Sequence, residues 1–293
     1  MVYLIDASVY VFRAYYSVPA DMVDGHGQPT NAVYGFTRFL LDLLTETAAT
    51  HVVVAFDESL TTSFRNELYP AYKANREPAP DELKRQFLSC RRLCEALGLR
   101  HEAHEKFEAD DLIGTLAQHC RAQQQSVSIV TRDKDLAQLV GPDDEFYDYA
   151  SRARYGYEQI EAQFGTRPES IADYLALTGD AVDNIRGVPG VGKKTAAAIF
   201  AQYQSLDEVY GHLDALQSLP IRGARTLAAK LEKHRADAYL AQQLTRIRCD
   251  VPMDSSLESM RRRSSEPALV NGLFDDLGFG DGLRERALAL EVS

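Results

Sequence analysis

Aspartates that directly follow apolar strands are the residues of this sequence best placed to do chemistry. Three short apolar runs, VYLID at 2–6, HVVVAFD at 51–57 and SVSIVTRD at 126–133, each end in an acid, which gives Asp6, Asp57 and Asp133. The carboxyl ends of parallel strands line the ligand crevice of an α/β sheet. Carboxylates that share one crevice repel each other unless cations neutralise them, so the pattern predicts a metal site.

Three further groups of acids lie at a helix start and in turns. They occur in the runs FEADD, RDKD and GDAVDN and comprise Glu108, Asp110, Asp111, Asp135, Asp180 and Asp183. Pairs with i,i+3 spacing, such as Glu108 and Asp111, can share one face of a helix. With the strand-end acids this makes nine carboxylates. An all-oxygen set selects hard cations, so we expect two or more Mg²⁺ ions, with Mn²⁺ as a substitute.

Each group also has an explanation without metal. Asp110 and Asp111 match the first-turn acids that a helix dipole favours, and Asp180 and Asp183 could cap a helix from a turn. Asp6 and Asp57 are harder to explain in this way, because an acid directly after a buried strand is costly without a partner. The convergence of four groups on one crevice favours metal binding over coincidence.

Alternation of strands and helices predicts the elements that position these acids. Helical patterns lie at about 30–48, 81–97 and 109–123, with another strand at 99–103. This order predicts an α/β core over residues 1–155, a parallel sheet flanked by helices. After about residue 155 the strands stop, and we expect a helical region over 156–293.

Composition alone does not identify a partner. The 293 residues carry a formal net charge of −11, which argues against nucleic acid. Between Arg65 and Lys106, however, nine basic residues accompany seven acidic ones. No apolar run approaches the length of a membrane span, so we expect no membrane contact. The four cysteines lack zinc-type spacing, and we expect reduced thiols in a cytoplasmic protein.

A long connection follows the second strand, over about 58–80. Its run FRNELYPAYKANR at 64–76 supplies Arg65, Lys73 and Arg76 to a site that otherwise offers only acids to a polyanion. The alternative is a solvated, charged helix face, the usual role of such runs.

A glycine-rich run at 187–200, GVPGVGKKTAAAIF, nearly matches a nucleotide-binding P-loop. The match fails because Lys194 stands where Ser or Thr is required and no apolar strand precedes the run. We predict instead a helix–hairpin–helix at about 171–203, whose amides and lysines grip a phosphate. The predicted phosphate contacts are Gly190, Gly192, Lys193, Lys194 and Thr195. A plain glycine turn is the alternative.

The ordered motifs LIDAS, VAFDES, FEADD, TRDKD and GDAVDNIRGVPGVGKKTA resemble the flap-endonuclease family. The likeness is closest to the 5′-nuclease domain of bacterial DNA polymerase I and its stand-alone relatives, and it covers about residues 2 to 280. It implies a PIN-like 5′-nuclease fold with a helical arch at about 58–97. By position, it implies a first metal site of Asp6, Asp57, Glu108, Asp110 and Asp111, and a second of Asp133, Asp135, Asp180 and Asp183.

The resemblance also implies roles outside the acids. Lys73 and Arg76 would act catalytically, Arg65 would contact phosphate, and Tyr72 would stack a terminal base. The hairpin carbonyls of the family also hold a K⁺ ion. The predicted function is a structure-specific 5′-nuclease, as an exonuclease, a flap endonuclease or both, acting on DNA with 5′ ends or flaps. Whether the substrate includes RNA–DNA stays open.

Two other functions are considered. A non-catalytic, structure-specific DNA-binding protein is disfavoured by the complete acid set, and a PIN-like ribonuclease is disfavoured by the hairpin and the arch. We expect a monomer, and we expect any DNA polymerase to be a separate partner because the chain has no room for such a domain.

Overall fold

A computed structural model gives the fold of residues 1–58 and 61–290. Residues 59 and 60 of the predicted arch and residues 291–293 of the predicted helical region lie outside the described residues. The central sheet has six strands: β1 (Val2–Asp6), β2 (Val52–Asp57), β3 (Arg100–His104), β4 (Val127–Val130), β5 (Glu145–Asp148) and β6 (Ala153–Tyr155).

The strands lie in the order β3, β2, β1, β4, β5, β6, and only β6 runs antiparallel to its neighbour within this sheet of the described chain. The chain moves outward from β1 to β3 and then returns to place β4 on the other side of β1. The strand order therefore reverses between β1 and β4. Open α/β sheets bind ligands at the carboxyl ends of the strands beside such a reversal.

Helices cover both faces of the sheet, because its apolar strands are buried on both sides. The helices of this part are α1 (Ala7–Ser17), α2 (Asn31–Thr47), α3 (Phe64–Leu68), α4 (Asp81–Ala96) and α5 (Ala109–Ala122). Side chains alternate along a strand. Accordingly, Leu4 packs in the core that contains α5, whereas Tyr3 and Ile5 pack in the core that contains α1, α2 and α4. The predicted parallel α/β core is confirmed.

The rest of the described chain is mainly helical, as predicted. Its helices are α6 (Tyr157–Phe164), α7 (Ile171–Thr178), α8 (Lys193–Phe200), α9 (Leu206–Gly211), α10 (Ala224–Lys233), α11 (Arg235–Thr245), α12 (Leu257–Met260), α13 (Pro267–Leu277) and α14 (Asp281–Leu288). A short ribbon of β7 (Gly179–Asp180) and β8 (Ile185–Arg186) precedes α8. Three 3-10 helices span Lys134–Leu139, Pro168–Ser170 and Leu213–Ser218.

The last two helices return to the first sheet. α13 packs against α4 and α14 against α2, and Val270 and Phe274 are fully buried in that core. The end of the described chain therefore completes one face of the α/β core. The predicted domain boundary near residue 155 stays a prediction. In the described ranges, none of the helices is both long and apolar enough to cross a bilayer.

Candidate active site

The strand-end aspartates meet at the point where the strand order reverses. Asp6 ends β1, Asp57 ends the neighbouring β2, and Asp133 follows β4 on the other side of β1. Thr131 links two of them, because its hydroxyl donates to Asp6 Oδ2 at 2.8 Å and accepts the Asp133 N–H at 2.9 Å. The start of α5 holds the third, where the Ala109 N–H donates to Asp57 Oδ1 at 3.0 Å.

Burial, together with repulsion between the carboxylates, raises the pKa of two aspartates at this site. Burial, together with the charges of Asp57 and Asp133, raises the pKa of Asp6 to about 7. Burial also raises the pKa of Asp110 well above its ordinary value, and Asp133, Asp6 and Asp57 add to that shift. The carboxylates of β1, β2, the β4 loop and α5 therefore act on one another as a single cluster.

A second group of acids adjoins the first. Burial, followed by the charges of Asp133 and Asp180, raises the pKa of Asp135 to about 8. Burial is also the main cause that raises the pKa of Asp133, and the charge of Asp183 adds to it. Asp135 Oδ1 is buried and has no hydrogen-bond partner in the described chain. The structure thus brings the RDKD and GDAVDN motifs to the same crevice.

Lysine ammonium groups lie between the carboxylates. Lys73 Nζ is 2.9 Å from Glu108 Oε2 and 3.9 Å from Asp183 Oδ2. Although burial favours the neutral amine, these two charges outweigh it and raise the pKa of Lys73. Burial likewise acts against the charged form of Glu108, but Lys73 and Arg65 hold the pKa of Glu108 below its ordinary value.

Lys134 has a similar position in the second group. Its Nζ is 3.6 Å from Asp180 Oδ2 and 3.8 Å from Asp135 Oδ1. Lys134 and Thr131 were not among the predicted site residues. Their signal was present, because Lys134 stands between two predicted ligands in RDKD and Thr131 precedes that motif.

The carboxylate oxygens suit hard divalent cations, although they do not form a complete coordination shell. Across residues 1–58 and 61–290, no three Asp, Glu, His or Cys side chains converge at the spacing of a metal site. Like charges keep such oxygens apart until a cation draws them together. The all-oxygen donors, together with an Asp135 oxygen that accepts no hydrogen bond from the described residues, are what a hard cation requires.

Asp111 and Arg65, predicted as a metal ligand and as a phosphate contact, form a buried pair with each other. Arg65 Nη1 and Nη2 each donate to an oxygen of Asp111 at 2.7 Å, and the two residues are 2% and 0% exposed. Asp111 also accepts the backbone N–H groups of Glu108 and Arg248, and Arg65 Nε donates to the Leu244 carbonyl at 2.9 Å. Asp111 is therefore engaged within the protein, and Arg65 is not presented to a phosphate.

Tyr72, which was predicted to stack a base, is also buried. It is 3% exposed and packs with Ile185 and Leu244. Its hydroxyl lies 3.1 Å from both Glu108 Oε2 and Asp183 Oδ2, and burial raises its pKa. The Tyr72 hydroxyl therefore contacts Glu108 and Asp183, and the ring is packed within the protein.

The predicted arch consists of α3 and α4 joined by turns over 69–76. These turns dock on the GDAVDN loop, because the Lys73 N–H donates to the Asp183 carbonyl at 3.0 Å and the Asn184 amide donates to the Ala71 carbonyl at 2.7 Å. Lys73 has a left-handed φ of 53°. Arg76, with its side chain 35% exposed, pairs with the Asp183 carboxylate. Both predicted catalytic cations thus lie at the carboxylate cluster.

The glycine hairpin joins β8 to α8, as the sequence predicts. Gly190 has a φ of 79°, and Gly192 precedes the first helical residue, Lys193. Lys193 and Lys194 are exposed, and Thr195 is half-buried. The first amides of a helix have no partner within it and face outward. Lys230 of α10, which was not among the predicted phosphate contacts, adds a further charge beside Gly190. Its Nζ lies 3.3 Å from where a Cβ on Gly190 would stand.

Comparison with known proteins decides the family. A family model described as "5′-3′ exonuclease, N-terminal resolvase-like domain" matches residues 1–165, and one described as "5′-3′ exonuclease, C-terminal SAM fold" matches residues 166–268. The chain belongs to the 5′-3′ exonuclease family. Its members are structure-specific 5′-nucleases, so the resemblance seen in the ordered motifs is confirmed.

Curated relatives of this chain include two bacterial polymerases. DNA polymerase I of Pseudomonas aeruginosa is 40% identical over 281 residues, which cover 96% of this chain and 31% of the relative. DNA polymerase I of Bacillus caldotenax is 37% identical over 280 residues, which cover 94% of this chain and 31% of the relative. The chain spans about a third of the length of these relatives.

Solved structures share the fold of this chain. T5 5′-exonuclease with divalent metal ions (zinc) bound superposes with a TM-score of 0.65 at 19% identity and covers 99% of this chain and 97% of its own. The catalytic core of Rad2 in complex with DNA substrate gives 0.62 at 17% identity, with 99% and 92% covered. At such low identity these likenesses show the fold.

Proposed function

We propose that this chain hydrolyses phosphodiester bonds of DNA that carries a 5′ end or a 5′ flap, with Mg²⁺ as its cofactor. The observation that carries the proposal is the gathering of eight carboxylates at one crevice, where lysines already lie between them. These acids are Asp6, Asp57, Glu108, Asp110, Asp133, Asp135, Asp180 and Asp183. Asp111 is left out because Arg65 engages it.

The cofactor assignment follows from the charges. Asp6, Asp57, Glu108 and Asp110 would hold one ion, and Asp133, Asp135, Asp180 and Asp183 the other. Paired divalent ions supply a hydroxide nucleophile from bound water and stabilise the leaving oxygen of an in-line displacement. Mn²⁺ has the same preference for oxygen ligands and would substitute.

The residues of the chain itself orient the phosphate. Lys73 and Arg76 would donate to the reacting phosphate, where positive charge stabilises the negative charge that develops. Tyr72 and Asn184 fix the turn that carries both cations, through the hydroxyl contact with Asp183 and the bond to Ala71. In a site otherwise lined by acids, these cations lower the repulsion of a polyanion.

The hairpin would hold the DNA duplex away from the reacting bond. The amides at the start of α8, Lys193 and Lys194 would bind backbone phosphate without reading sequence. Structures of relatives support a DNA partner, since Rad2 is described with a DNA substrate and human GEN1 with Holliday junction DNA. A K⁺ ion on the hairpin carbonyls, an RNA-containing substrate, a separate polymerase partner and a monomeric state stay predictions.

Cleavage of end-labelled flap, nicked and blunt duplexes tests the proposal. Wild type should cut the flap and nicked duplexes only when Mg²⁺ is present. Asp57→Asn should abolish cleavage while binding in Ca²⁺ persists, because it removes a ligand and one negative charge near the phosphate. Asp143→Asn, an exposed acid just before the amino end of β5, is the matched control and should cut like wild type. Wild-type rates in Asp57→Asn would remove the metal assignment, and binding without any cleavage by wild type would favour a DNA-binding protein.

A further inference from the structure

A single threonine hydroxyl links the two groups of acids that are proposed to hold the ions. Thr131 directly follows β4, and its Oγ1 donates to Asp6 Oδ2 at 2.8 Å. The same oxygen accepts the N–H of Asp133 at 2.9 Å. A backbone N–H can only donate, so the hydroxyl keeps its own proton for the Asp6 carboxylate. Asp6 belongs to the proposed first ion site and Asp133 to the second, and one side chain therefore contacts both sites.

The sheet fixes where this hydroxyl lies. β4 pairs with β1 so that Val130 lies opposite Ile5, and the next residues along the two strands, Thr131 and Asp6, are therefore neighbours. On the β5 side, the Thr131 N–H donates to the Tyr147 carbonyl at 3.1 Å. Thr131 is fully buried, and a β-branched side chain has few χ1 rotamers available to it. The position of the hydroxyl is thus determined by three strands of the sheet.

Other acids of the cluster are oriented in a similar way, but by backbone groups. Asp57 Oδ1 accepts the Ala109 N–H at 3.0 Å. Asp133 Oδ1 accepts the Asp135 N–H, also at 3.0 Å. A carboxylate has two oxygens and about four lone pairs, so such a bond orients the group and leaves it able to bind an ion. The bond to Asp6 comes from a side chain, and one substitution can therefore remove it without replacing a ligand.

We propose that Thr131 is a positioning residue that sets Asp6 and Asp133 relative to each other, so that both ion sites form together. The inference rests on the proposed function, because it takes divalent ions as the cofactor. Hydrogen bonds to metal ligands orient those ligands, and their loss typically weakens metal affinity or activity by about 10–100-fold. Since the Thr131 hydroxyl serves an acid of each group, its loss should weaken the binding of both ions and not of one alone.

Titration of the protein with Mn²⁺ in the absence of DNA, followed by calorimetry, tests this role. Wild type should bind two ions. Thr131→Val keeps the shape of the side chain and removes the hydroxyl, and it should raise both dissociation constants by roughly 10–100-fold. Thr131→Ser keeps the hydroxyl and should restore most of the affinity. Single-turnover cleavage should follow the same order, with Thr131→Val requiring about 10–100-fold more Mg²⁺ for its half-maximal rate.

Thr115→Val is the matched control, because Thr115 of α5 is a buried threonine with the same hydrogen-bonding pattern. It is 1% exposed, and its hydroxyl donates to the Asp111 carbonyl at 2.8 Å and accepts the Val251 N–H at 3.1 Å. Both of these partners are backbone groups. In chelator, Thr115→Val and Thr131→Val should each melt cooperatively, roughly 2–10 °C below wild type. Thr115→Val should leave both Mn²⁺ dissociation constants unchanged.

Three other outcomes would overturn the inference or the function on which it rests. If Thr131→Val and Thr115→Val bind Mn²⁺ equally well, Thr131 has a structural role only and the positioning role is refuted. If one dissociation constant changes and the other does not, the hydroxyl serves a single ion and the link between the two groups is refuted. A wild type that binds no divalent ion would refute the metal assignment and this inference with it. A wild type that binds both ions and never cuts DNA would refute the nuclease proposal, whereas weaker Mn²⁺ binding by Thr131→Val would still support the positioning role.

Discussion

Neighbouring aspartates at the start of α5 should respond in opposite ways to the same substitution. Asp111→Asn breaks a pair in which Arg65 and Asp111 are 2% and 0% exposed, and removing one partner of a buried pair costs about 3–5 kcal/mol. Asp110→Asn removes a carboxylate that burial and three other aspartates disfavour as an anion. Without divalent ions near neutral pH, it should leave the free energy of unfolding unchanged or raise it.

The expected difference in stability between Asp111→Asn and Asp110→Asn is large enough to measure by thermal denaturation in the presence of a chelator. A domain of this size class loses about 2–4 °C in Tm per kcal/mol, so Asp111→Asn should melt roughly 10 °C below wild type. Asp110→Asn should melt at or above wild type. Added Mg²⁺ should stabilise wild type and Asp111→Asn, because the ion binds only the folded state. Asp110→Asn should gain less from Mg²⁺ and should lose cleavage.

A double-mutant cycle provides the control. Arg65→Met alone leaves Asp111 buried and unpaired, so it should destabilise as strongly as Asp111→Asn. The combined Arg65→Met/Asp111→Asn variant should be more stable than the sum of the single changes predicts, since no uncompensated charge remains. If Asp111→Asn melts with wild type in chelator but loses the Mg²⁺-induced shift, Asp111 is a metal ligand and the argument from the buried pair is refuted.

Three other expectations concern pH, the arch and the hairpin. The pKa of Asp6 is raised to about 7 and that of Asp135 to about 8, so the folded state binds more protons than the unfolded one. With a chelator present, the free energy of unfolding should therefore fall as pH rises from about 4 to about 8. Added Mg²⁺ should remove most of this pH dependence. Melting temperatures that do not change with pH in chelator would contradict the expectation. Lys73→Ala should slow single-turnover cleavage about 100-fold with little loss of DNA affinity, whereas full recovery at saturating enzyme would show a role in binding only. Lys193→Ala/Lys194→Ala should lower the salt slope of binding by about one to two, and an unchanged slope would remove the hairpin from the DNA interface.

The positions of the aspartates at the strand ends are what the sequence predicts best. Asp6, Asp57 and Asp133 could be placed at one crevice because apolar runs define the strands and parallel strands end at a common edge. The strands β5 and β6, in contrast, were not predicted. These strands are short and carry polar residues, EFYD and ARY, so their pattern does not differ from that of a loop.

The direction of individual side chains was beyond prediction from the sequence. Asp110 and Asp111 are adjacent and chemically identical, yet one faces the cluster and the other faces Arg65, which is 46 positions away. Arg65 and Tyr72 were predicted to meet DNA because the family resemblance places them in the arch. Contacts with Leu244 and Asp183, more than a hundred residues further along, bury them instead. The direction of each of these side chains depends on tertiary packing, which leaves no pattern in the local sequence.

The return of α13 and α14 to the first sheet bears on how the protein is synthesised. The strands of that sheet are complete by Tyr155, but the faces of α2 and α4 stay uncovered until residues up to Ala287 emerge. At about 5–20 residues per second, the interval is on the order of ten seconds. We expect the nascent chain to carry an exposed apolar face throughout that time, a natural contact for chaperones, and to acquire its finished core only as these last helices leave the ribosome.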